Sequence, residues 1–143
     1  MRPDFRCNCP FTSALDIVGD KWILVIVKQM LVEGKQTFKD FTESEEAIAT
    51  NILSSKLKFL EEVGIIVKTK RPANKKVNYY FLTDKGLALT PILVELASWS
   101  DGFLRDLHPN IVDGETMEVL RNDKAAFARA LENSYRAKRA ANS

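Results

Sequence analysis

Residues 49 to 82 limit what this chain can fold into more than any other stretch. Leu53, Leu57 and Leu60 recur at about 100° per residue, which gives a helix over Ala49–Val63 one apolar face. Val63-Gly64 ends that helix, because glycine takes the left-handed turn past a helix end without a steric penalty. Two segments rich in β-branched and aromatic residues follow, IIVKTKR and VNYYFL, with the loop PANKK between them. Such runs on either side of a Pro/Asn turn read as a β-hairpin.

The flanking segments read as helices. In CPFTSALDIVGD, Phe11, Ala14, Leu15 and Val18 fall at i, i+3, i+4 and i+7, and Pro10 suits the first helical position. Gly19 and Asp20 break that helix. Lys21–Val32 is apolar on nearly every side, which predicts a buried helix stopped by Glu33-Gly34. Lys35-Gln36-Thr37 reads as an extended link, and Phe38–Ser44 as a short helix. After the hairpin, Thr83 is a good N-cap for a further helix. Pro91 predicts a kink or a restart within it. From Pro91 to Leu107 apolar residues fall on more than one face, and His108-Pro109-Asn110 ends the pattern. Glu115–Arg121 and Asp123–Lys138 are helical in pattern. The expected fold class is α+β and mainly α. It comprises a winged helix-turn-helix domain with flanking dimerisation helices over residues 1–109, and a C-terminal helical extension over 110–143.

Charge sharpens this order of elements. The chain holds 21 Lys+Arg against 19 Asp+Glu, a net charge of +2, so a polybasic tail protein is excluded. The near balance hides a local patch: from Gly64 to Phe81 there are five bases, Lys68, Lys70, Arg71, Lys75 and Lys76, and no acid. Phosphate contact needs such a patch. Edge lysines that block strand pairing would give the same pattern. On the helix at 49–63, Asn51, Ser54, Ser55 and Lys58 lie opposite the leucines, Thr50 lies in the first turn, and Lys56 sits at the edge, where its head can reach out. Small polar side chains let a helix enter the major groove closely and hydrogen-bond base edges. The other reading is a solvated face with no partner.

Several stretches resemble the HxlR-type transcriptional regulators, within the MarR-like winged-helix group. They are CPFTSALDIVGDKWILVIV, FKDF, IATNILSSKLKFLEEVGII, YYFLTDKGLAL and the PILVELASW helix, together spanning about residues 9–100. The resemblance implies a homodimer on a pseudo-palindromic operator in double-stranded DNA; a repressor is the expected role, though the sequence does not tell repression from activation. It implies a recognition helix carrying Thr50, Asn51, Ser54, Ser55, Lys56 and Lys58, and a wing tip carrying Arg71, Asn74, Lys75 and Lys76. Two departures stand out. Ala49 occupies the place where a capping Ser is common, and the tail after Asn110 extends past the family's minimal domain.

A dimer also has support in the residues. One face of the Pro91–Leu107 helix needs a second partner, and Leu96, Trp99 and Phe103 belong to its apolar set. Phe5, Phe11 and Leu15 offer a matching set at the N-terminal end, so a symmetric helical interface would bury both. Alternatively, the tail helices cover this surface within one chain. Cys9, ahead of Pro10, falls at or near an N-cap, where unpaired amides and the helix dipole favour the thiolate. Arg6 and Arg2 push the same way. Cys9 is therefore a candidate sensor of oxidants or electrophiles, as it is for some members of the similar family. Cys7 could resolve a sulfenic acid, although a disulfide across one residue is strained. The competing reading makes Cys9 a small buried hydrophobe packing the first helix.

The remaining classes find little. Two cysteines exclude a disulfide scaffold and a four-cysteine zinc site, and the single histidine, His108, removes sites needing two imidazoles. No metal site or cofactor is expected. No apolar run approaches the roughly 18 residues of a membrane span, and MRPDFRCNCPF lacks a signal core, so a cytoplasmic protein with no membrane partner is expected. Asp16, Asp20 and Asp101 stand near no obvious partner, and neither a phosphate-binding glycine loop nor a nucleophile elbow is present, so no catalysis is expected. Trp22 and Trp99 could line a ligand pocket, though aromatics at helical spacing usually pack in a core. The alternatives kept open are a winged-helix protein-interaction module, or a regulator answering an unknown small-molecule effector in place of redox.

Overall fold

A computed structural model describes residues 3–142. The order of elements is α1 (Pro10–Val18), α2 (Ile23–Glu33), α3 (Phe38–Thr42), α4 (Thr50–Glu62), β1 (Ile66–Arg71), β2 (Asn74–Leu82), α5 (Asp84–Leu87), α6 (Thr90–Phe103), α7 (Glu115–Asn122) and α8 (Lys124–Asn142). The chain forms two compact units that divide between Leu87 and Ala88. The sequence reading placed the division at 109/110. It lies earlier because α6 shares an apolar cluster with the tail helices.

The first unit is a winged helix-turn-helix. Its centre is α2, whose Ile23, Ile26, Val27 and Met30 are buried, with Phe41 of α3 and Leu53, Leu57 and Leu60 of α4 packed in the same core. The leucine spacing thus does what it predicts. Gly34 (φ 70°) and Gly64 (φ 79°) close α2 and α4 in the left-handed conformation. Thr37 and Asp40 cap α3 reciprocally, each side chain accepting from the other residue's amide.

The hairpin is antiparallel, with Ile66 opposite Leu82 and Lys70 opposite Asn78. Its turn is tighter than the expected PANKK loop: only Pro72 and Ala73 lie between the strands, and Asn74 already pairs with Arg71. The register shifts between Lys70 and Arg71, which accommodates the extra residues of β2. The Tyr80 amide donates to the Gln36 carbonyl (2.7 Å), so the extended link after α2 is tied to the hairpin. Thr83 caps α5 as predicted, its hydroxyl oxygen accepting from the Gly86 amide (3.2 Å).

In the second unit Pro91 sits in the first turn of α6, where its missing N–H costs nothing, so the helix restarts there as expected. Val94 of α6, Leu120 of α7 and Ala128 of α8 form its core, with Ala97, Met117, Phe127 and Leu131 packed around them. An ion-pair network braces it. The Asp101 carboxylate receives Arg105 (2.7 Å) and Arg121 (2.7 Å), and Arg121 also reaches Asp113 (2.9 Å).

Candidate nucleic-acid interface

Leucine burial fixes which side of α4 faces outward. Thr50, Asn51, Ser54, Ser55 and Lys58 are all exposed on that side. Ala49 takes the N-cap position with extended backbone and offers no side-chain cap to the first amides of α4. Lys56 differs from the expectation that its head reaches out. It is half-buried, and its ammonium lies 2.6 Å from the Asp20 carboxylate.

The wing divides its bases in two. Lys75 and Lys76 are exposed at the start of β2, and the Asn74 side chain accepts from the Lys76 amide (3.1 Å), fixing the backbone at the tip. Lys70 is exposed too, with its ammonium donating to the Lys75 carbonyl (2.9 Å). Arg71 is held within the chain instead. Its guanidinium stacks on the Tyr79 ring, 3.9 Å from the centroid, and donates to Gln36 Oε1 (3.2 Å). Between α4 and the hairpin runs a groove lined by Phe38, Ser54, Lys58, Glu61, Lys68 and Tyr80. Lys68 faces Glu61 there at 4.0 Å. Burial and the Glu61 charge raise the pKa of the Tyr80 phenol.

Cys9 is the N-cap of α1 and half-buried; Cys7 is exposed, and both thiols are free. The Phe11 and Thr12 amides and the Thr12 hydroxyl, at the start of α1, lower the pKa of the Cys9 thiol, although Cys9 makes no side-chain capping hydrogen bond. These groups belong to the start of α1, whereas Arg6 does not face the thiol. Arg6 is turned to Asp16, which accepts from its amide (3.1 Å) and its Nε (2.6 Å). Arg2 lies outside the described residues.

Phe5, Phe11 and Leu15 are exposed on or beside α1, and Leu96, Trp99 and Phe103 on α6. Phe103 is 72% exposed, and Trp99, at 55%, is no core residue as helical spacing would have it. The tail helices cover the Val94 side of α6 and leave the Leu96–Phe103 stripe open.

The three aspartates read as partnerless all have partners: Arg6 for Asp16, Lys56 for Asp20, Arg105 and Arg121 for Asp101. Asp101 and Arg105 stand at i, i+4, a spacing that announces a pair. The longer-range pairs, and the Arg71–Gln36 bond, leave no mark in the spacing. Among the described residues no group of three or more His, Cys, Asp or Glu could hold a metal ion, and no helix is long and apolar enough to cross a membrane.

An exposed polar helix beside a basic two-stranded wing defines a helix-turn-helix transcriptional regulator, a non-enzymatic DNA-binding class. The chain belongs to the HxlR-like helix-turn-helix family, whose model matches residues 17–108. It is 38% identical over 93 residues to the HTH-type transcriptional regulator YvaP of Bacillus subtilis, covering 64% of this chain and 85% of YvaP. It is 33% identical over 96 residues to the regulator YodB of the same organism, covering 66% of this chain and 85% of YodB. The reduced form of YodB superposes with a TM-score of 0.56 over 68% of this chain and 95% of that one. The reduced form of the redox regulator HypR, 26% identical, gives 0.61 over 71% and 99%.

Proposed function

We propose that the chain represses transcription in the cytoplasm by binding a pseudo-palindromic operator in double-stranded DNA as a homodimer. The observation that carries this reading is the exposed face of α4, with Asn51, Ser54, Ser55 and Lys58 standing clear of the core beside Lys75 and Lys76 of the wing. Asn51 and the serines would read base edges from the major groove, while Lys58, Lys75 and Lys76 would neutralise phosphates. The open stripes at Phe5, Phe11 and Leu15 and at Leu96, Trp99 and Phe103 support a twofold interface. Half-sites about one helical turn apart then demand a fixed spacing of the two recognition helices.

Cys9 is the sensor in this reading. Its lowered pKa makes the thiolate available, and the similar YodB and HypR have been solved in forms named for their redox state. The thiolate would add to a conjugated C=C bond of an electrophile such as a quinone, forming a C–S bond while a proton from water completes the adduct. An adduct at the start of α1 would shift the dimer spacing and weaken operator binding.

Fluorescence anisotropy on DNA flanking the encoding gene, across a salt series, tests both halves. Tight binding that falls steeply with salt and beats random DNA is expected, with release after quinone treatment that Cys9→Ser abolishes. Equal, weak binding to every DNA would turn the reading toward a protein-interaction module. Release that persists in Cys9→Ser would pass the sensing role to another effector.

A further inference from the structure

Lys56 sits on the helix assigned to the major groove, yet its head is turned away from the outer face toward Asp20. The Asp20 carboxylate is itself fixed: one oxygen accepts the amides of Trp22 (2.7 Å) and Ile23 (2.9 Å), where buried α2 begins. The other oxygen receives the Lys56 ammonium at 2.6 Å. Burial pushes this carboxyl's pKa up, but Lys56 and the two amides outweigh it and leave the group below the usual carboxylate range. Two backbone amides at the start of α2 hold the Asp20 carboxylate in place, so Lys56 docks on an oriented charge.

Between α1 and α4 lies a cavity lined by Leu15, Ile17, Asp20, Ser55, Lys56 and Phe59. Leu53, Leu57 and Leu60 hold α4 from the core side, and a polar contact on its flank adds a directional restraint to that packing. The Asp20–Lys56 pair supplies that restraint next to Ser55, one of the side chains assigned to the bases.

We infer that Asp20 and Lys56 form a clamp that sets the roll of the recognition helix, so Lys56 is a positioning residue and not a phosphate contact. The inference rests on the reading of α4 as the groove-entering helix.

Salt dependence separates the two roles. A lysine that neutralises a phosphate adds about 0.9 to the slope of log affinity against log salt, and a clamp adds nothing. Asp20→Asn, Lys56→Gln and the double variant of the full chain would be compared with the parent by anisotropy on operator and random DNA. Asparagine retains an oxygen for the Trp22 and Ile23 amides, so the start of α2 survives. Each single variant is expected to lose about tenfold in operator preference at an unchanged slope, with the double variant losing no more than either, as contacting residues do. A slope about one unit shallower in Lys56→Gln, or tighter binding with a steeper slope in Asp20→Asn, would overturn the clamp.

Amide hydrogen exchange in the DNA-free protein tests the clamp apart from the groove reading. Asp20→Asn should speed exchange in the first half of α4 and leave the hairpin unchanged. Unchanged exchange in α4 would defeat the clamp even if operator binding stands. Failure of the parent to prefer any DNA would defeat the groove reading and leave the exchange result to judge the clamp.

Discussion

Helices α4 and α6 are both two-faced, and their open faces are opposite in kind. On α4 the leucines are spent inward, with Leu53 and Leu60 fully buried, and the outside shows an amide, hydroxyls and the Lys58 ammonium. On α6, Val94 is spent inward and the outside shows Leu96, Trp99 and Phe103, with Ile92 in line. A face of small polar groups suits a wet, hydrogen-bonding partner such as a base edge. A stripe holding a tilted Trp99–Phe103 ring pair, centroids 6.1 Å apart, is stable only when another apolar surface covers it. The amphipathic pattern is alike in the two helices. What each leaves uncovered differs in the chemistry of the partner it suits.

The largest effect should come from charging the apolar stripe. In a twofold interface one substitution acts twice, and burying an aromatic side chain contributes about 2 kcal/mol per copy. Trp99→Asp should thus weaken dimerisation by about 4 kcal/mol, close to a thousandfold, in sedimentation equilibrium. An unchanged mass would mean that α6 is covered some other way. Next is the inward face of α4. Leu57→Ala should cost about 3 kcal/mol in urea unfolding, whereas Leu96→Ala in the isolated monomer should cost only a few tenths. Equal losses would erase the distinction between the two faces.

The wing sharpens the polar side of the comparison. Lys75→Gln and Lys76→Gln should each flatten the salt slope by about one unit and weaken all DNA sequences alike. Arg71→Gln should leave the slope unchanged, since this guanidinium already stacks on Tyr79 and binds Gln36. A flattening equal to that of the lysines would show that Arg71 leaves these partners for phosphate.

Most of the frame was legible because it depends on local periodicity: the leucine face, the glycine stops, the hairpin and the restart at Pro91 each rest on residues a few positions apart. The tip of the wing was less so, because Asn74 supplies its own backbone bond and shortens the loop to two residues. The sequence marked α4 as a row of polar residues, but it could not separate free cations from engaged ones. Lys56 and Lys58 look alike two residues apart; only folding brings Asp20 to the first. The two compact units divide before α6 for a related reason. One face of the Pro91–Leu107 helix reads as free to pack on the winged domain, and the structure packs α7 and α8 on its Val94 and Ala97.

The smallest expected effect lies in the network that braces α6 against the tail. Hydrogen bonds and ion pairing with Arg121 and Arg105 hold the Asp101 carboxyl well below the usual carboxylate range. Its unfolded value is near the ordinary 3.9. A group depressed in the folded state stabilises above its unfolded pKa, and that contribution fades as the pH falls through the folded value. Amide exchange in α7 should therefore be slow and level above about pH 5, once the intrinsic pH dependence of exchange is removed, and protection should fall below pH 4. Asp101→Asn should lower protection at pH 7 and remove the fall. The variant and parent should then converge in acid, because both have lost the same charge. A gap that stays constant down to the lowest pH would mean that the Asp101 network holds the tail by shape and hydrogen bonding alone.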